Sequence, residues 1–254
     1  MPSADPGSPA PVLSVVIPTF NEVARIEETI RSADAYLRRS GLTSEIIVID
    51  NDSSDGTVAL VTSLIDGVVG STQVVVERCR GKGAAVKRGV LQSRGDFVVF
   101  LDADNSTPLS EFERILPFLR SGFDVVIGSR YVDPSLVVTR QPFMRVALSR
   151  IGNAIIRLLL IPQIRDTQLG FKAFRGDVAR DLFCRVVTER WAFDVELLVA
   201  ARRSGYRIRE VGVAWREPGG SHLRWTAYLT SLVDVLKIRW RAWRGYYNPM
   251  KTMF

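Results

Sequence analysis

Short runs of β-branched and aromatic residues recur through the first half of this chain, and an amphipathic stretch separates each from the next. The runs are Leu13-Ser14-Val15-Val16-Ile17, Glu45-Ile46-Ile47-Val48-Ile49, residues 73–76, Phe97-Val98-Val99-Phe100-Leu101 and residues 124–127. Runs so short and so continuously apolar suit strands buried on both faces. Helical spacing fills the gaps. Residues 22–39 carry Ile26, Ile30, Ala33 and Leu37 on one face, and residues 57–65, 82–94 and 109–119 follow. Pro18 should stop the first strand and Pro117 should kink or end the last of these helices. Strands alternating with helices demand a parallel sheet with right-handed crossovers. The expected fold class is α/β, a mostly parallel central sheet flanked by helices, and 254 residues are enough for one such domain with a sizeable core.

Each run ends on polar residues, and open α/β sheets bind their ligands beyond the carboxyl ends of their strands. Asp102-Ala103-Asp104 follows the fourth run. Two acids one residue apart suit a hard divalent cation that keeps several waters and bridges to substrate phosphates. The plainer reading is a polar turn before a helix. Pro18-Thr19-Phe20-Asn21-Glu22 closes the first run, where Asn21 also suits a helix cap. Asp50, at the end of the second, suits a ribose hydroxyl or base N–H, while Asp55 and Thr57 read as structural. Arg80-Gly81-Lys82-Gly83 opens a helix and suits phosphate, although it lacks the spacing of a P-loop. Gly128-Ser129-Arg130-Tyr131 ends the fifth run and brings an arginine able to fork onto phosphate, and Arg140 and Arg145 could act likewise.

The formal charge is +7, and its distribution narrows the acidic partner. Basic residues of the second half, from Arg150 and Arg157 to Lys237, Arg239, Arg241 and Arg244, are interleaved with Trp225, Trp240, Trp243, Tyr246 and Tyr247. That mixture suits a membrane interface better than nucleic acid. Two helical patterns carry it. Residues 143–160 gather Phe143, Ala147, Ile151, Ile155, Leu158 and Leu159 on a broad apolar face, and residues 222–244 form a long basic helix or helix pair. Core packing is expected for much of each face and lipid contact for part. Residues 191–203 read as a further helix and 207–213 as a strand. Residues 1–11 read as a disordered tail, with neither a signal peptide nor a membrane-spanning run apparent, and 12–221 as the catalytic domain. Cys79 and Cys184 read as free thiols.

Taken in order, the strand-end motifs resemble those of the inverting GT-A glycosyltransferases. Asp166-Thr167-Gln168-Leu169-Gly170-Phe171-Lys172 and Arg190-Trp191-Ala192-Phe193-Asp194-Val195-Glu196 are similar to segments of the dolichyl-phosphate β-glucosyltransferases and their bacterial polyprenyl-phosphate relatives. The resemblance spans about residues 12–225. It implies a GT-A nucleotide-sugar-binding fold, a nucleotide-sugar donor (a UDP-sugar, UDP-glucose foremost), Mg²⁺ or Mn²⁺, a polyprenyl-phosphate acceptor and a peripheral place on the cytoplasmic face of a membrane. Pro18, Glu22 and Asp50 would hold the nucleoside, with Thr19, Asn51, Lys82 and Ala103 completing the donor site. Asp102 and Asp104 would carry the metal and the diphosphate, and Arg130 would bind phosphate. Asp104, Arg130 and Asp194 are the candidate catalytic residues. Asp194 and Glu196 are placed either to orient basic side chains or to touch the sugar. Two departures stand out: Asp50-Asn51 replaces the Asp-Asp of many relatives, and the N-terminal membrane helix common in the eukaryotic dolichyl enzymes has no counterpart in the sequence.

The chemistry suits the residue types. A phosphate monoester is mostly a dianion at neutral pH, because its second pKa is about 6. It needs charge neutralisation and positioning more than a general base. His222 is the only histidine and reads as a polar helix-start residue. A haloacid-dehalogenase-type phosphatase also uses Asp-x-Asp, but on its first strand. A processive polysaccharide synthase needs membrane spans and a Gln-x-x-Arg-Trp segment, where this chain has Val187-Thr188-Glu189-Arg190-Trp191. A non-enzymatic lipid-binding module would explain the charge but not acids at several strand ends.

Overall fold

The computed structural model describes residues 10–138, 143–217 and 225–248, without the side chains of 143–149 and 225–232. Seven strands form one sheet: β1 (Leu13–Thr19), β2 (Ser44–Asp50), β3 (Ser71–Val76), β4 (Phe97–Leu101), β5 (Val125–Ser129), β6 (Phe171–Arg175) and β7 (Ile208–Gly212). Their order is β3-β2-β1-β4-β6-β5-β7. All neighbours run parallel except β6, which is antiparallel to both β4 and β5. The expected mostly parallel sheet therefore forms.

Helices α1 (Ile26–Ser40), α2 (Thr57–Leu64) and α4 (Phe112–Arg120) cover one face, where Leu13, Val15 and Ile17 of β1 meet Ile30, Val61 and Ile115. Helices α3 (Lys82–Gln92), α6 (Gly176–Arg185), α7 (Phe193–Arg203) and α8 (Trp225–Trp243) cover the other, where Val16 meets Val86, Phe183, Leu197 and Ile238. The alternation along β1 is the period-2 pleat, with both faces buried.

Several elements depart from expectation. β1 runs through Pro18 to Thr19. The carbonyl of Thr19 faces β2, accepting from Asn51 N–H at 2.8 Å, so Pro18 faces β4, where the ladder ends at Val16–Phe100 and the proline has no N–H to extend it. α4 likewise continues past Pro117 to Arg120. α1 begins at Ile26, and Asn21 does not cap it: at a φ of 54°, its Oδ1 accepts from Ser54 N–H. β6 and α6 were not anticipated. In α5 (Phe143–Leu159), Ile156 joins the core while Ile151, Ile155 and Leu158 of the expected apolar face lie exposed. Pro11 is already buried and accepts from Asp96 N–H, so the packed chain starts inside the expected tail. Residues 1–9, Arg140, His222 and Arg224, and the side chains of Phe143, Arg145, Ala147 and Trp225, lie outside what is described. Among the described residues no helix is long and apolar enough to cross a membrane.

Candidate active site

Because β1, β2, β4 and β5 share one direction, their carboxyl ends share one edge of the sheet. The register places Thr19 beside Asp50 and Leu101 beside Phe171, so antiparallel β6 begins at the edge where its neighbour ends. Pro18, Thr19, Glu22, Asp50, Asn51, Lys82, Asp102, Ala103, Asp104 and Arg130 all lie along this edge or in the loops leaving it, as their positions in sequence required.

Asp102 and Asp104 are the acidic centre. Lys82, from the first turn of α3, forms an ion pair with Asp102 Oδ1. Asp104 accepts from Ser106 N–H at 3.0 Å. Burial and then the charge of Asp102 push its carboxyl above the ordinary value. Burial also raises Glu22, with Arg25 opposing and the charges of Asp104 and Asp102 adding to the rise. Burial alone would lower the Lys82 ammonium, but Asp102 and Asp194 outweigh it and hold it above its ordinary value. Burial is thus the main reason both carboxyls are raised, with mutual repulsion among the acids adding to it. Ala103 packs into the core, and its carbonyl accepts from Thr29 Oγ1 at 2.6 Å, fixing the turn between the two acids.

The end of β2 divides its labour. Asp50 accepts from Ser53 N–H at 2.9 Å and Thr19 Oγ1 at 3.2 Å. Asn51 Nδ2 donates to the carbonyls of Glu77 and Cys79, and its Oδ1 accepts from Gly81 N–H. Asn51 therefore shapes the loop leading to Lys82. Asp55 accepts from Thr57 N–H at 3.0 Å, the structural role expected of it. The glycines beside Lys82 admit backbone: a Cβ on Gly83 would come within 2.7 Å of the Thr188 carbonyl oxygen, and Ala84 N–H donates to the Glu189 carbonyl.

Arg130 forks onto fully buried Asp166, through Nε at 2.7 Å and Nη2 at 2.9 Å. Burial would raise Asp166, but the guanidinium overcomes this and holds the carboxyl below its ordinary value. The rings of Tyr131 and Trp215 flank the guanidinium at 5.5 and 5.4 Å, and Nη1 is the nitrogen that Asp166 does not engage.

Two residues of the Asp166–Lys172 segment carry more than sequence reasoning assigned. Gly170 leaves room for the Asp102 carboxylate, which a Cβ there would overlap. Lys172, fully buried, donates to Asp194 at 2.6 Å and to the Leu169 carbonyl at 2.6 Å. Asp194 thus pairs with a buried lysine. Glu196 pairs with Arg241, at 3.0 Å. Trp191 is exposed and sits with its ring 5.8 Å from Lys82 Nζ. The one local signal for Lys172 is its place amid Phe171, Ala173 and Phe174; its partner acid lies 22 residues further on.

Among the described residues no group of three His, Cys, Asp or Glu side chains could hold an ion unaided. Asp102 and Asp104 nevertheless fit Mg²⁺ or Mn²⁺, because such ions take one or two carboxylates and complete their shells with water and substrate phosphates. The ammonium already held on Asp102 shows that this corner receives a cation.

A family model described as Glycosyl transferase family 2 matches residues 14–183. A dolichyl-phosphate beta-glucosyltransferase of Dictyostelium discoideum is 36% identical over 250 residues, spanning 93% of this chain and 76% of that protein. One from Homo sapiens is 34% identical over 256 residues, spanning 93% and 79%. Mannosyl-3-phosphoglycerate synthase from Rubrobacter xylanophilus is structurally similar with a TM-score of 0.69 at 19% identity, over 96% of this chain and 77% of that one. Glucosyl-3-phosphoglycerate synthase from Mycobacterium tuberculosis, solved with Mn²⁺ and UDP-glucose, gives 0.64 at 21% identity, over 90% and 79%. Sheet, strand-end acids and relatives agree: this chain belongs to glycosyl transferase family 2 and is a glycosyltransferase built on the GT-A fold.

Proposed function

We propose that the chain transfers glucose from UDP-glucose to a polyprenyl phosphate of the dolichyl type, with inversion at the anomeric carbon. The observation that carries this reading is the paired acids at the β4 edge in a chain 36% identical, across 93% of its length, to a dolichyl-phosphate beta-glucosyltransferase. Thr19 and Asp50 present the nucleoside side of the site. Asp102 and Asp104 hold a divalent cation, which when bound offsets charge on the donor diphosphate. Arg130, oriented by Asp166, offers Nη1 to phosphate.

The acceptor phosphate attacks the anomeric carbon as a dianion. One oxygen–carbon bond forms, the bond to the diphosphate oxygen breaks, and UDP departs with the electron pair. No proton moves, which suits a site with no histidine among its described residues. Two anionic reactants repel, so what the residues supply is positioning and countercharge. A lipid-borne acceptor also suits the basic, Trp-bearing α8, which would rest on the membrane surface with its charged neighbours facing anionic headgroups.

The test offers radiolabelled UDP-glucose, UDP-N-acetylglucosamine, UDP-N-acetylgalactosamine and GDP-mannose with polyprenyl phosphate and counts label in the organic extract. Label from UDP-glucose, lost on chelation and restored by Mn²⁺ or Mg²⁺, is expected. Label from another donor alone would replace the sugar, and no organic label from any donor would overturn the acceptor.

A further inference from the structure

Glu196 is fully buried in α7, and nothing in the chemistry above uses it. Its Oε2 accepts from the backbone N–H groups of Val187 at 3.1 Å and Thr188 at 2.6 Å. Its Oε1 accepts from Arg241 Nη1 at 3.0 Å and from the hydroxyl of Tyr247. Arg241 belongs to α8, and Tyr247, just beyond it, is itself fully buried. Burial, reinforced by the neighbouring carboxylate, holds the Tyr247 hydroxyl far above its ordinary value, so it stays a donor. One carboxylate therefore ties the C-terminal helix to the backbone at 187–188.

That backbone is the wall against which the Lys82 turn is built. Ala84 N–H donates to the Glu189 carbonyl at 3.1 Å. Gly81, at a φ of 140°, lies so close to the same carbonyl that a Cβ would overlap it, and Gly83 meets Thr188 and Phe193. Lys82 stands between the two glycines, with Asp102 on its ammonium and Trp191 of the same wall beside it. Contacts this tight transmit displacement, because packed interiors have little free volume to absorb it.

We propose that Glu196 is a positioning residue for the donor site: clamped by Arg241 and Tyr247, it sets the 187–190 wall, which sets Lys82 and through it Asp102. The C-terminal helix is then part of the donor-binding machinery as well as a lipid-facing element. This inference rests on the donor reading above, since it concerns the same acids.

The experiment measures UDP binding by calorimetry with Mn²⁺ present, and KM for donor and acceptor separately, on the full chain. Tyr247→Phe removes one hydroxyl and keeps the ring. Arg241→Met removes the guanidinium, and Arg241→Lys returns a charge. Tyr247→Phe and Arg241→Met should each weaken UDP and raise the donor KM about tenfold, as coupled contacts do, leaving the acceptor KM within about twofold. Arg241→Lys should recover most of the loss. In a Lys82→Met background, Tyr247→Phe should add less than about twofold, because the route through Lys82 is already cut. Folded variants that bind UDP like the wild type, or that merely melt earlier, would overturn the proposal, as would full additivity with Lys82→Met. A wild-type chain that binds no UDP would instead overturn the donor reading, and this inference with it.

Discussion

Gly170, immediately before β6, lies against the carboxylate of Asp102, so a Cβ at position 170 would overlap both of its oxygens. Asp102 also holds Lys82 and cannot retreat without breaking that pair. Gly170→Ala should therefore turn Asp102 away from the site at an overpacking cost of about 1–3 kcal/mol. Transfer should fall by about 10² or more, since misplacing a group by roughly 1 Å costs that much. Steady-state kinetics and thermal melting of the variant check both numbers, and unchanged kcat/KM would show that Asp102 is not needed where it stands.

The raised carboxyl of Asp104 makes the metal-free protein sensitive to pH with a definite sign. Burial, then the charge of Asp102, keep the proton on in the folded state above the ordinary value of 3.8. In that window the folded chain binds more protons than the unfolded chain, so stability falls as pH rises toward the folded value. Asp104→Asn removes the penalty. In chelating buffer at neutral pH it should melt above the wild type, and it should gain nothing when Mn²⁺ is added. The wild type should be stabilised by Mn²⁺, and increasingly so as pH rises through the window, because the cation binds the deprotonated form. Melting curves across pH, with and without Mn²⁺, decide the matter.

Asp194 and Asp104 should respond differently to removal. Asp194→Ala leaves the fully buried ammonium of Lys172 without its paired carboxylate, with the Leu169 carbonyl and the face of Phe100 still against it. Breaking a buried pair this way costs about 3–5 kcal/mol. For a chain of this size that lowers Tm by on the order of 10 °C. Yet the pair is an orienting one, so transfer measured well below the melting range should persist in part, whereas Asp104→Ala should abolish it. A fully inactive but folded Asp194→Ala would place that carboxylate on the substrate instead.

Along α8, Val233, Leu236, Trp240 and Trp243 follow at intervals of three, four and three residues and are 50–78% exposed, while Val235, Ile238 and Ala242 on the opposite side are buried. Ile151, Ile155 and Leu158 make a comparable exposed stripe on α5, beside exposed Arg150 and Arg157. Trp240→Ser with Trp243→Ser should cut binding to anionic liposomes by about a hundredfold or more, given roughly 1.5–3 kcal/mol for each large apolar side chain buried. Flotation at low and high salt measures this, and a wild type that stays in the soluble fraction at low salt would rule the membrane surface out.

Much of this architecture is local in origin. The runs at 13–17, 45–49 and 97–101 are apolar enough to be buried on both faces, and each stops at the polar residues that form the site, so a parallel sheet with acids along one edge follows from the sequence alone. The antiparallel insertion of β6 does not, because Phe171-Lys172-Ala173-Phe174-Arg175 carries two charges and looks half-exposed. Lys172 tolerates burial only because Asp194, 22 residues further on, meets it in space. The same holds for Asn51, whose amide is committed to carbonyls 26 and 28 residues away, and for Arg130, whose orientation depends on Asp166. Periodicity and strand-end chemistry are short-range and legible in order along the chain. Which charge neutralises which, and which face of a helix is left uncovered, depend on contacts between distant segments, and only the folded chain decides them.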